Sequence, residues 1–167
     1  MHLLAEKSVH IHRPVLEVFG YVSNMENFGE WFPGVISIKS HNALAHGELG
    51  KEYLETVRVP LRGRRKITLQ VRQASSPHFF ATEGRLLPLL PRMEITLDAT
   101  AMNSCELTWR IFSISHNLWV RYLVLPLARR VMDKRASLGV AALKGRMEGG
   151  AAVLRPDQAS TLQSTGN

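Results

Sequence analysis

The chain has 167 residues, of which 45 % are hydrophobic and 21 % charged, so it can bury one core and is not of disordered composition. Lys and Arg number 21 against 14 Asp and Glu, and the net charge of +7 suggests an anionic partner (a nucleic acid, a membrane surface or an acidic ligand) or serves solubility alone. The single cysteine, Cys105, excludes an internal disulfide and a multi-cysteine zinc site, and fits a reducing cytoplasm.

Met1 to Ile11 carries Glu6, Lys7 and two histidines, so it lacks the apolar core of a signal peptide. Within it, Ser8 to His12 alternates, with Val9 and Ile11 on one face, and predicts a strand. Arg13-Pro14 ends that strand, and Pro14 suits the first turn of a helix through Val15, Val18, Phe19 and Val22. Ser23-Asn24 breaks this helix and can cap a second short one through Met25, Phe28 and Trp31. Pro33-Gly34 stops it. Val35 to Ser40 is strand-like, and Asn42 to Gly50 is a loop. A run of strands follows, over Tyr53–Val59, Lys66–Arg72, His78–Leu87, Met93–Thr100 and Glu106–Ile111. Turn residues separate them, which predicts an antiparallel meander.

The last element is a long helix over 119–148, capped by Asn117. Val120, Val124, Leu127, Val131, Leu138 and Ala142 are its expected apolar stripe. Lys134-Arg135 interrupts that stripe, and Pro126 predicts a kink or a break after Leu125. The helix would be on the order of 45 Å long, enough to cross a sheet. Leu118 to Leu127 is the most apolar stretch, but it is half the roughly 20 residues that a bilayer span needs. The expected domain is 1–148, followed by a disordered tail over 149–167.

Charge is concentrated rather than spread. Residues 56–82 hold six basic residues and no acid, and residues 119–148 hold seven basic and two acidic. Residues 1–55 are net acidic.

The element order, together with particular residues, resembles the START-like superfamily SRPBCC, especially its polyketide cyclase/dehydrase and lipid-transport branch. The resemblance rests on Val9 to Pro14 with Val18-Phe19 and Tyr21-Val22-Ser23, and on Asn27-Phe28 with Trp31-Phe32-Pro33-Gly34-Val35. Leu49 to Tyr53, Leu107-Thr108-Trp109-Arg110 and the ending Leu143-Lys144 to Glu148 add to it. It implies an α+β helix-grip fold: a curved antiparallel sheet wrapped around a long C-terminal helix, with two short helices after the first strand. It also implies a cavity between sheet and helix for a hydrophobic molecule such as a lipid, polyketide or quinone. The family has no shared catalytic signature, so no catalytic residue carries over.

Few residues could do chemistry. Glu55 alternates with Tyr53 and Val57, and Glu83 is in phase with Phe79, Ala81 and Arg85. Either carboxylate, if it faced an apolar pocket, would have a raised pKa suited to acid–base work. The plainer alternative for each is a solvated or Arg-paired glutamate. His116 is a third candidate, at a cavity rim. Arg85 could hold a ligand carboxylate or phenolate, or make a surface ion pair. Phe28, Trp31, Tyr53, Phe80 and Trp109, with Leu123 and Leu127 on the long helix, are the expected lining, or plain core. His10 and His12 share a face, but no carboxylate or cysteine lies near them in sequence, so no metal is expected. No cofactor is implied.

The expected function is binding of a small hydrophobic ligand, as carrier or sensor. The alternative is a polyketide cyclase/dehydrase-like enzyme using a cavity carboxylate or histidine. The ligand would pass the loops around 60–66 and 86–92, where Leu86 to Pro91 forms an apolar lip. Nucleic acid is disfavoured, because residues 58–72 contain no aromatic side chain. Leu118 to Leu125, followed by Arg129, Arg130, Lys134 and Arg135, suits contact with an anionic membrane or simply roofs the sheet. The expected localisation is cytoplasmic, with a peripheral membrane contact.

Overall fold

The computed structural model describes residues 1–59 and 63–149. β1 (His2–Ile11) is followed by α1 (Val15–Ser23), a 3-10 turn (Met25–Asn27) and α2 (Phe28–Trp31). β2 (Val35–Ser40), β3 (Glu52–Val59), β4 (Gly63–Ser75), β5 (Phe79–Gly84), β6 (Pro91–Ala101) and β7 (Ser104–Ser113) then run in succession. A π-helical turn (Val120–Val124) leads into α3 (Leu125–Gly149).

The strands form one seven-stranded sheet in the order β1-β7-β6-β5-β4-β3-β2, every described neighbour antiparallel. The sheet is open and curved, and the C-terminal helix lies in its grip. This is the expected α+β helix-grip architecture. The tail expected over 149–167 lies outside the described residues except for Gly149, which closes α3.

Several boundaries differ from the sequence reading, each for a local reason. β1 begins at His2 rather than Ser8. A bulge between Leu3 and Ala5 puts Leu4 and Ala5, adjacent in sequence, both into buried positions, which destroys the period of two. β4 reaches back to Gly63 because Arg64, Arg65 and Lys66 keep their pairing with β3, although all three are exposed. Pro126 does not break the helix. It follows a wide turn in which the Leu125 N–H donates to the Val120 carbonyl five residues back. That turn takes up the ring and the missing donor of Pro126. Asn117 does cap the start, since its Oδ1 accepts the Trp119 N–H at 2.9 Å.

The expected stripe holds at Val120, which is buried, but the C-terminal half of the helix has a different phase. Leu125, Ala136, Gly139, Val140, Leu143 and Met147 are the buried positions of α3, whereas Leu127 and Leu138 are about half exposed. Small residues decide this. A Cβ on Gly139 would stand 2.9 Å from Phe32 Cδ2, so glycine lets α3 settle directly onto the aromatic layer. In that layer Phe28 stacks on Phe32 at 4.7 Å, and Phe32 lies 5.0 Å from Trp109. The C-terminal half of the helix is therefore close-packed, and free volume is left under its N-terminal half.

Candidate functional site

The free volume has two adjoining parts. The outer chamber, of about 330 Å³, lies between Val57–Val59 and Arg65 on the β3–β4 hairpin, Leu86–Leu89, and the helical residues Leu123, Leu127, Val131 and Arg135. Its walls are overwhelmingly apolar. The inner pocket, of about 90 Å³, reaches from there to Phe28, Thr82 and Trp109 in the sheet and α2. Val57, Leu86, Leu89, Met132 and Arg135 line both, so they stand between the two.

Glu55 stands in the wall of the inner pocket and is 5 % exposed. β3 puts it there by alternation: Tyr53 and Glu55 point inward, while Leu54 lies exposed. Burial pushes its carboxyl up to about 7, against a partial pull downward from the Arg135 charge. Among the described residues no cation lies within 4.0 Å of it. A carboxyl in this setting is part neutral and part charged near pH 7, and can donate a hydrogen bond or exchange a proton.

Arg135 brings the second polar group. Burial and the neighbouring Arg58 charge lower its pKa, and Glu55 raises it. Its Nη2 donates to the Arg58 carbonyl oxygen at 3.0 Å, which fixes the guanidinium in the wall that the two parts share. Gly34, with φ of +97°, gives it room.

The other candidates lie as follows. Phe28 and Trp109 line the inner pocket, and Leu123 and Leu127 line the outer chamber. Trp31, Tyr53 and Phe80 are buried in the core and touch neither part. The Tyr53 hydroxyl shares a 2.8 Å hydrogen bond with His46 Nδ1, and burial pushes it up to about 12. Glu83 faces away from the cavity and bonds Arg72 at 2.8 Å and Arg92 at 3.0 Å. Arg85 and His116 are exposed and line neither part. His10 meets Thr100 at 3.1 Å and His12 meets Glu148 at 2.9 Å. Cys105 is buried in β7, where burial pushes its thiol up. Among the described residues no group of three or more His, Cys, Asp or Glu converges on a metal-sized site.

Sequence reasoning missed Arg135 as a cavity residue. The signal was present: Lys134-Arg135 interrupts an otherwise apolar helical seam. A charge on the inner side of a helix is either a fault in the expected phase or a group placed at a cavity, and Arg135 lines both parts. Met132 was missed as well, because the expected stripe ran through Val131.

A family model described as polyketide cyclase/dehydrase and lipid transport matches residues 2–148, nearly all of the described chain. The chain belongs to that family. Solved structures support the START-like fold of this polyketide cyclase/dehydrase and lipid transport family member. A START superfamily protein from Mycobacterium smegmatis aligns with a TM-score of 0.65 at 12 % identity, over 88 % of this chain and 98 % of that one. A protein from Thermus thermophilus aligns with a TM-score of 0.69 at 8 % identity, over 88 % and 98 %. The di-domain ARO/CYC StfQ from the steffimycin biosynthetic pathway aligns with a TM-score of 0.59 at 14 % identity, over 86 % of this chain and 46 % of that one. At such identities the likeness is one of fold. No match was found among the curated proteins. Among the described residues no helix is long and apolar enough to cross a membrane.

Proposed function

We propose that this chain binds a small hydrophobic ligand, such as a lipid, polyketide or quinone, between its sheet and C-terminal helix, as a carrier or sensor. The observation that carries this reading is the pair of adjoining cavities: an apolar chamber of about 330 Å³ and a pocket that holds Glu55, with Arg135 in the wall of both. That volume lies in the range of small-molecule sites, and apolar walls with few polar groups are their usual composition. Burial of ligand surface supplies affinity at roughly 25 cal/mol per Å². Glu55 and Arg135 set which end of the ligand goes in first, because an oxygen function satisfies them and a methyl end does not.

The reading is tested by native mass spectrometry of freshly purified protein, which should show a bound hydrophobic molecule. Titration with the fluorescent apolar probe 1-aminoanthracene gives the second test. Ala128→Trp fills the outer chamber, which Ala128 lines, and should weaken the probe by roughly tenfold or more. Unchanged probe binding in a folded Ala128→Trp protein would remove the cavity as the binding site.

A second reading is favoured by one observation, the Glu55 carboxyl buried in the pocket wall, where burial pushes it up to about 7. A group titrating there suits general acid–base catalysis of a cyclase or dehydrase type. Under this reading Glu55→Gln abolishes turnover of a polyketide-like substrate and leaves probe binding intact. Turnover that survives the substitution rejects it.

A further inference from the structure

The cations of this chain differ in their partners. Lys7, Arg13, Arg72, Arg92, Arg110, Lys144 and Arg146 each lie within 4.0 Å of a carboxylate. Arg58, Arg64, Arg65 and Lys66 on the β3–β4 hairpin, and Arg121, Arg129 and Arg130 on the last helix, do not, among the described residues. All seven are exposed. Hairpin and helix are not distant from one another, because Arg58, Arg65, Leu123 and Leu127 line the same outer chamber. Arg58 and Arg64 are even direct cross-strand partners. Like charges opposite one another in a sheet are destabilising, so an external anion would relieve them.

The same end of the molecule exposes large apolar side chains. Trp119 is 75 % exposed, Tyr122 and Leu123 are each 68 % exposed, and Leu118 is 65 % exposed. They sit on the first turns of the last helix, with Arg121 among them. Residues 118–132 contain no acid. Exposed Trp, Tyr and Leu flanked by arginines are the composition of a helix that lies in the headgroup region of an anionic bilayer.

We infer that this end of the molecule docks on an anionic membrane surface, with Trp119, Tyr122 and Leu123 inserted and these seven exposed cations of the hairpin and the last helix against the headgroups. A second copy of the chain fits worse, since a twofold contact would set these cations against their own copies. A nucleic acid would match the charge but leave the apolar side chains without partners. The docking does not depend on what the cavity holds.

The test is flotation of the full chain with vesicles of phosphatidylcholine alone and of phosphatidylcholine mixed with phosphatidylglycerol. Binding to the mixed vesicles alone is expected, and it should weaken as salt is raised. Trp31 and Trp109 are buried, so a blue shift of tryptophan emission on binding reports Trp119 entering the lipid. Arg64→Gln, Arg121→Gln and Arg130→Gln should each lower partitioning roughly fivefold, and Leu123→Gln should abolish the shift. Arg110→Gln, which loses the Glu6 and Thr96 partners, should change nothing. The inference is overturned by equal or absent binding to both vesicle types, or by binding without an emission shift. It is also overturned by a dimer that hides Trp119, or by a DNA oligonucleotide bound while mixed vesicles are not. The salt series on the unaltered protein decides the matter even if a variant fails to fold.

Discussion

The guanidinium of Arg135 rests against Gly34: a Cβ built on that glycine would stand 2.7 Å from Arg135 Cζ. The turn after α2 thus shapes the place where a charge from α3 enters the cavity. Gly34 has φ of +97°, a conformation that side chains with a Cβ rarely adopt.

Gly34→Ala should therefore lower stability by about 1–3 kcal/mol through backbone strain and weaken probe binding by displacing Arg135. Arg135→Ala removes the steric conflict but not the strain, so the double variant should regain little stability. Chemical denaturation of the three variants measures this, and a Gly34→Ala protein as stable as the parent would contradict it.

Burial lifts the Glu55 carboxyl from 4.5 to about 7. The folded chain keeps a proton there that the unfolded chain releases between those values. Because the folded state binds more protons, stability falls as pH rises from about 4.5 to about 7 and levels off above. The span amounts to about 3 kcal/mol. Glu55→Gln stays neutral throughout, so it should match the parent near pH 4 and exceed it by up to that amount above about pH 8. Urea denaturation of both proteins across this range should show the gap opening with pH; a constant gap would mean that Glu55 is not buried as described.

Two helical glycines should respond in opposite directions. A Cβ on Gly139 meets Phe32 at 2.9 Å, and one on Gly145 meets nothing within 4 Å. Gly145→Ala should stabilise by roughly 0.5–1 kcal/mol through helix propensity. Gly139→Ala gains the same propensity but overpacks the aromatic layer at a cost of about 1–3 kcal/mol, so its net effect should be destabilising. Thermal unfolding of the pair compares them directly, and equal shifts in Tm would mean that α3 does not bear on Phe32 so closely.

Glu83 separates position from residue type. Its carboxylate bridges Arg72 and Arg92 on the outer face of the sheet. Glu83→Gln should cost no more than about 1 kcal/mol and leave cavity binding and any Glu55-dependent turnover unaltered. A loss of ligand binding equal to that of Ala128→Trp would place the site elsewhere.

The architecture was legible because its signals are local: the alternation of Met93–Thr100, the turn residues between strands and one long terminal helix. Inward placement of Glu55 was legible as a possibility from its spacing with Tyr53, and the tertiary structure fixed the face. The same spacing logic did not separate Glu55 from Glu83, because a period of two says which residues share a face and not which face is concave. Arg85 shares the outward phase of Glu83, so the guanidinium at the cavity comes instead from Arg135. The helix phase was misread for a packing reason. Gly139 and Ala136 carry little hydrophobic signal, yet their small size is what brings α3 onto the aromatic layer.

The wide turn at Val120–Val124 has one last consequence. A π-turn holds one residue more than an α-turn, so the helix before it is rotated by about 100° relative to the helix after it. The orientation of Trp119 is thus geared to a single residue count. Deleting one residue within the turn would swing Trp119 about the axis and leave the packing of Gly139 on Phe32 where it is. The two ends of the last helix can in this way be retuned independently, one end seated in the core and the other free to meet new surroundings.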